Sequence, residues 1–187
     1  MTFSTQIQTD RLVMRPLKKE DYDTWYQGFS RRKPSQSPYD DGYMDMTPCT
    51  EDWFKQLVGK HADLASQDKQ YIFAIWTKSG RHVGMIDVVI LARANMNWCE
   101  LGYSIHNHEW RQGYAYEALS ALLNQLPTLL DVHRIEAHVS LDNVPSSRLL
   151  EKLGFQQEGV REQFMFEGDQ WVDKRVYAKL LHGRSLK

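Results

Sequence analysis

A mixed α/β fold with mainly antiparallel strand pairing is predicted for this chain of 187 residues by three observations. Runs of alternating or β-branched apolar residues are interleaved with runs whose apolar positions recur at helical spacing. Two glycine-containing turns, TKSGR at residues 77–81 and EGD at 167–169, each join two strand-like runs, as hairpins do. No repeat, low-complexity tract or linker divides the chain, so one domain is expected over residues 1–187.

The elements follow in order. Arg11 to Leu17 (RLVMRPL) alternates charge and apolar character and ends in a proline, which suits an edge strand. Lys18 to Phe29 opens with acidic residues and carries spaced aromatics, the pattern of a first helix. Ser30 to Asp52 holds three prolines and one glycine and reads as a long loop, a kind that is usually functional or mobile. Trp53 to Leu64 suits a second helix, and Tyr71 to Trp76 with His82 to Leu91 form the first hairpin. Trp98 to Ile105 (WCELGYSI) is a further strand. From Tyr114, the residues Ala115, Ala118, Leu119, Leu122, Leu123 and Leu126 recur at helical spacing, and Pro127 should kink or end that helix. Arg134 to Ser140 is a strand. Asp142 or Asn143 then caps a helix that runs to about Leu153 and is stopped by Gly154. The segment from Gln163 onward makes the second hairpin.

Composition narrows the function. Hydrophobic residues make up 42% and charged residues 25%, a globular balance too apolar for disorder. A net charge of −1 with scattered Lys and Arg gives no footprint for DNA. Cys49 and Cys99 are too few for a disulfide framework and lack metal-ligand spacing. No window approaches the ~20 apolar residues of a membrane span, and the first residues lack the apolar run of a signal peptide. A cytoplasmic setting is expected, with no membrane association and no metal.

The chemistry gathers at two expected helix starts. A helix N-terminus presents unpaired backbone N–H groups and partial positive charge, which suits an anion. In HEWRQGYAYEA (residues 108–118), Arg111, Gln112, Gly113, Tyr114 and Ala115 are placed to curl their amides around a pyrophosphate. Gly113 allows close backbone approach, Ala115 is small, and Arg111 adds a charged donor. The plainer reading is a helix start with no ligand. A second helix start follows the next strand, where Asn143 offers an amide and Ser146 a hydroxyl. Together the two suit a long ligand with a phosphate end and an amide-bearing arm.

The motifs resemble those of the GCN5-related N-acetyltransferases, and within them the RimJ/RimL-like group. The resemblance rests on TDRLVMRPL (residues 9–17), CELGYSI (99–105), WRQGYAYEA (110–118) and NVPSSRLLEKLGF (143–155), with EGDQWVDKRVYAKLL as the closing hairpin. It implies a GNAT fold: a central, mostly antiparallel twisted sheet flanked by helices, with a splayed parallel strand pair holding the acyl-CoA. It also implies an acetyl-CoA-dependent N-acetyltransferase. The pantetheine arm would pair with Tyr103, Ser104 and Ile105 and meet Asn143. The pyrophosphate would sit on the amides of Gln112, Gly113, Tyr114, Ala115 and Tyr116, and the strand near Ile105 would supply an oxyanion contact. Trp110 stands where the superfamily usually has Gln or Arg, a substitution the RimJ/RimL-like group often shows, and Arg111 is the residue able to supply the missing polar contact.

An amine attacks only when neutral. An α-amine near pKa ~7.7–8.0 needs a weaker base than a lysine or polyamine near ~10.4. Glu100 is the candidate base, directly or through water, with Asp87 a weaker alternative; the plainer reading of Glu100 is a solvated strand-end carboxylate. Many superfamily members carry a Tyr acid where this chain has Leu150, so Ser146 becomes the candidate to protonate or hydrogen-bond the leaving thiolate. Cys99, without a paired His, reads as a small core hydrophobe. His106 and His108 read as surface or loop residues, and SRRK (residues 30–33) as a solvated loop. Trp25, Tyr26, Tyr39, Tyr43 and Trp53 suit packing or an acceptor wall. The acceptor is left open between a protein N-terminus, a ribosomal one among them, and a small amine or polyamine gathered by Asp40, Asp41 and Asp45. A non-catalytic acyl-CoA sensor is the other class of reading, and the assembly is expected to be a monomer or homodimer.

Overall fold

The computed structural model describes residues 3–181. In chain order these residues form β1 (Ile7–Gln8), β2 (Leu12–Arg15), α1 (Tyr22–Ser30), α2 (Glu51–Ser66), β3 (Gln70–Thr77), β4 (His82–Ala92), β5 (Trp98–Ile105), α3 (Tyr114–Leu130), β6 (Arg134–Ser140), α4 (Val144–Lys152), β7 (Gln156–Glu167) and β8 (Gln170–Leu180). Two compact units divide them. The first takes the chain up to Val89 together with Gly102–Leu122, and the second takes Ile90–Leu101 and the chain from Leu123 onward.

In the first unit β1, β2, β3 and β4 pair antiparallel in sequence order, with Ile7 opposite Met14, Leu12 opposite Thr77 and Phe73 opposite Ile86. The end of β5 continues the order beside β4, where the His106 N–H donates to the Val83 carbonyl at 2.9 Å. In β2 the fully buried Leu12 and Met14 alternate with half-buried Val13 and Arg15, as a half-buried strand requires, whereas the second half of β3 is buried on both faces, Phe73 and Ile75 on one and Ala74 and Trp76 on the other. Trp25 of α1 and Phe54 of α2 close one cluster with Leu17, Met46, Ala74 and Trp76. Each such buried aromatic contributes about 1.5–3 kcal/mol from area removed from water. Thr50 caps α2 by accepting the Trp53 N–H at 3.2 Å, so this helix starts before Trp53, on the acidic pair Glu51 and Asp52.

The first strand departs from expectation. It is not an edge, because the two-residue β1 pairs outside it, a strand too short to announce itself by alternation. The long loop is also not simply solvated. Arg32 and Asp40 form an ion pair at 2.8 Å with both side chains buried, and Arg32 Nε donates to the Gly42 carbonyl at 2.8 Å. Asn107 fastens that loop, accepting from the Lys33 N–H and donating to the Lys33 carbonyl, both at 2.7 Å, and donating to Asp40 Oδ2 at 2.9 Å. Burial works to raise the Asp40 carboxyl, but donors from Asn107, Gln36, Gly42 and Arg32 outweigh it and hold it below the usual range.

Helix α3 runs through Pro127 to Leu130 instead of stopping. The ring removes only the N–H that would reach Leu123, one turn from the helix end, and buried Leu126 and Leu130 hold the chain on either side. In the second unit the start of β5 pairs parallel with β6 over Trp98↔Arg134, Cys99↔Ile135 and Glu100↔Glu136. Strand β6 pairs antiparallel with β8 from Arg134↔Leu180 to Ser140↔Lys174, and β7 lies outside β8. The second hairpin is therefore longer than its apolar alternation suggested, since β7 begins at Gln156. Most of its residues are exposed, so no buried face imposes a period on the sequence.

Candidate active site

In the first unit the turn into α3 is made by two residues with left-handed backbone, Arg111 at φ +63° and Gly113 at φ +78°. Residues 111–113 are exposed, and their N–H groups precede a helix whose first bond runs from the Glu117 N–H to the Gly113 carbonyl at 3.1 Å. A Cβ added at Gly113 would meet only Arg11 Nη2, at 3.5 Å, so the demand for glycine comes from φ and not from space. Arg111 has a Cβ in the same region, a cost of about 1–2 kcal/mol of the kind that gathers at ligand clamps.

That turn is braced from behind. Arg11 donates through Nη1 to the Gln112 carbonyl at 3.0 Å and through Nε to Glu117 Oε2 at 2.6 Å, and its guanidinium lies 5.0 Å from the Tyr114 ring centroid. Thr9 Oγ1 and the Arg11 N–H both donate to Glu117 Oε1, at 2.5 and 3.0 Å. Partial burial tends to raise the Glu117 carboxyl, but these donors overcome it and hold the group below its usual range. Trp110 also acquires a role. Its indole Nε1–H donates to the Ile105 carbonyl at 2.7 Å, so the residue that departs from the superfamily pattern ties the loop to β5. On the same strand Tyr103 and Ile105 are half-buried and Ser104 is exposed. Asp87, the weaker base candidate, packs against Gly102, where an added Cβ would stand 2.2 Å from Oδ1.

His106 corrects the surface reading. It is 2% exposed, and its Nε2 lies 3.0 Å from Nδ1 of the equally buried His82. Burial pulls His82 down to about 3 and His106 to about 2, the latter with help from the neighbouring histidines, so both are neutral at pH 7. Among the described residues no group of three His, Cys, Asp or Glu side chains is placed to hold a metal ion, and no helix is long and apolar enough to cross a membrane.

The second unit holds Glu100, Asn143 and Ser146. Asn143 is the N-cap of α4, its Oδ1 accepting the Ser146 N–H at 3.2 Å, which leaves the Nδ2 amide as the group able to donate to a ligand. Helix α4 ends as a Schellman turn. Gly154 at φ +82° donates to Glu151, and Phe155 to Leu150 at 3.0 Å. Cys99 is fully buried, with burial pushing its thiol up to about 12, which removes it as a nucleophile near neutral pH.

Glu100 is not a solvated strand end. Its Oε1 lies 2.6 Å from His138 Nδ1, and its side chain is 26% exposed against 2% for His138. His138 Nε2 faces Arg161 Nη1 at 2.8 Å, and Arg161 Nη2 reaches Glu136 Oε2 at 3.2 Å. Arg134 bridges Glu136, at 2.6 Å, and Glu158. The sequence reading missed this chain of side chains, although it had a signal. Arg134, Glu136 and His138 alternate along β6 with Ile135, Ala137 and Val139, so one face of an interior strand is wholly charged or polar.

Comparison with known proteins decides the family. A model described as an acetyltransferase (GNAT) domain matches residues 11–156. The chain belongs to this GNAT family. The acetyltransferase is 29% identical to the N-acetyltransferase p20 of Bacillus licheniformis over 93% of its own length and 95% of the relative's. It is 26% identical to the ribosomal protein uS5-alanine N-acetyltransferase of Escherichia coli over 90% and 87%. Among solved structures it superposes on Mycobacterium smegmatis RimJ in complex with CoA-disulfide with a TM-score of 0.76 and 20% identity, covering 95% of this chain and 86% of that one. The fold, the N-acetyltransferase class and acetyl-CoA as cosubstrate therefore stand as the resemblance implied.

Proposed function

We propose that this acetyltransferase moves the acetyl group of acetyl-CoA to the α-amine of a polypeptide N-terminus, as one cytoplasmic domain. The observation that carries the acceptor class is the placement of Asp40. A polyamine site needs several carboxylates free to face a cation, yet of the three candidates Asp40 is buried against Arg32 and Asn107, which leaves Asp41 and Asp45 as the exposed ones. An α-amine asks less of the protein, since it is already partly neutral near pH 7. The naming of the Escherichia coli relative for the alanine of a ribosomal protein supports the same class.

In this reading the N–H groups of Gln112, Gly113, Tyr114, Ala115 and Tyr116, with Arg111, hold the pyrophosphate. Tyr103, Ser104 and Ile105 line up the pantetheine, and the Asn143 amide donates to it. Acetyl-CoA supplies an activated acyl group. Glu100 takes a proton from the substrate ammonium so that the neutral amine can attack the thioester, and Ser146 donates to the departing thiolate. Positioning and electrostatics do the rest.

Release of free thiol from acetyl-CoA with a panel of amines tests the proposal. Peptides with a free N-terminal alanine or serine should support turnover, while the same peptides blocked at the N-terminus and spermidine should not. Turnover with spermidine alone would overturn the acceptor assignment, and tight acetyl-CoA binding with no turnover on any amine would favour a sensor.

A further inference from the structure

We infer that His138 is a positioning residue that holds Glu100 ready to accept the substrate proton, in a single tautomer dictated by Arg161. The inference rests on the base assignment just made. A guanidinium has donors only, so Arg161 Nη1 at 2.8 Å makes His138 Nε2 an acceptor, and the ring proton must sit on Nδ1. That Nδ1–H then donates to Glu100 Oε1 at 2.6 Å. A second contact could favour the opposite tautomer, because Glu136 Oε2 lies 3.6 Å from Nε2. That distance is beyond hydrogen-bond reach, and the same oxygen accepts from Arg161 Nη2 at 3.2 Å.

The surroundings are built to keep this geometry. Glu136 and Glu158 surround the guanidinium of Arg134, and Glu136 also accepts from Arg161, so Arg161 is fixed before it meets His138. The Phe164 ring covers both partners, 4.8 Å from the His138 centroid and 4.8 Å from the Arg161 guanidinium carbon. Phe164 gets there through a break in the β7 ladder. Arg161 pairs with Lys174 and Met165 with Val172, four steps along β7 against two along β8, with Gln163 at φ +46° inside the bulge. Bulges of this kind re-aim side chains beside active sites.

The arrangement gives the imidazole a task that does not require it to move a proton. With Oε1 already accepting from Nδ1–H, the proton leaving the substrate ammonium is taken at Glu100 Oε2, so the N–H bond breaks as an O–H bond forms there and His138 keeps its own proton. It fixes the carboxylate rotamer and selects which oxygen faces the amine.

Steady-state kinetics with acetyl-CoA and an alanine-initiated peptide, together with acetyl-CoA titration and thermal melts, test this. Asn places an amide N–H where Nδ1 was, while Gln places its amide near Nε2, so the two polar variants divide the two contacts of the ring. His138→Leu should lower kcat about ten-fold with acetyl-CoA affinity within about two-fold of wild type. His138→Asn should recover most of that loss, and His138→Gln should not, even where both melt alike. In a Glu100→Gln background, His138→Leu should cost no further kcat. If Asn and Gln are equally active, or if the His138 and Glu100 effects multiply, the positioning role is wrong while the base assignment stands. If Glu100→Gln alone keeps full kcat, the base assignment fails and takes this inference with it.

Discussion

The turn before α3, proposed to hold the pyrophosphate, and the side-chain row on β5 and β6, proposed to take the proton, are built from opposite materials. The turn uses backbone N–H groups, left-handed φ at Arg111 and Gly113, and a brace from Arg11, Thr9 and Glu117 that supports it from the far side of the helix start. The proton site uses side chains only, a row from Glu158 through Arg134, Glu136, Arg161 and His138 to Glu100. Backbone donors depend on conformation and tolerate many side chains. A carboxylate aimed by an imidazole tolerates almost none, because the loss of one partner leaves a buried group unpaired.

The comparison breaks most visibly at Glu100. Glu100→Gln should lower kcat by about 10²–10³-fold in steady-state assays while acetyl-CoA affinity by calorimetry changes little, because the proposal gives the carboxylate the amine proton and gives cofactor binding to other residues. The converse comes from the turn. Gly113→Val forces a β-branched residue to φ +78°, and acetyl-CoA binding should weaken by at least ten-fold while kcat at saturation stays within a few-fold. A variant that lost both in equal measure would show that the two regions act as one.

Acid should act on the first unit in two stages. For buried His82 and His106 the folded pKa values lie far below the ordinary ~6.5, so between about pH 6.5 and 3 the unfolded chain binds more protons. Their neutral forms therefore cost nothing above pH 6.5, and stability falls as pH drops below it. Glu117, also depressed, contributes stability above the ordinary glutamate pKa near ~4.3 and loses it below. Melts from pH 8 to 5 should show a decline in wild type that is shallower in a His106→Asn variant. The smallest effect is expected at Ser146. Ser146→Ala keeps the Asn143 cap, which uses the Ser146 N–H, and kcat should fall only a few-fold if the hydroxyl assists the thiolate.

Local rules were legible where the chain carried them locally. Asn143, Pro145 and Gly154 mark the start and stop of α4 from chemistry confined to the helix itself, and the cap and the Schellman turn both appear. The turn into α3 was legible for the same reason, with Gly113 at positive φ. What escaped was set by register. Nothing in Thr9 and Arg11 points to Glu117, more than a hundred residues away, and His138 meets Glu100 and Arg161 only because β5, β6, β8 and β7 are adjacent in that order. Arg32 looked solvated because charged residues in a proline-rich loop usually are, and its pairing with Asp40, itself held by Asn107, permits its burial. His106 escaped because an isolated imidazole beside a loop gives no sign of the buried His82 that meets it.

The central claim is that a defined carboxylate drives acetyl transfer to an N-terminal amine. Its most direct test is thiol release from acetyl-CoA with an alanine-initiated peptide, measured side by side for wild type and Glu100→Gln. Wild type should acetylate the α-amine, verified by peptide mass, and the variant should lose about 10²–10³-fold in kcat at unchanged acetyl-CoA affinity. Acetylation of spermidine in place of the peptide, or a Glu100→Gln enzyme that turns over at the wild-type rate, would contradict the claim.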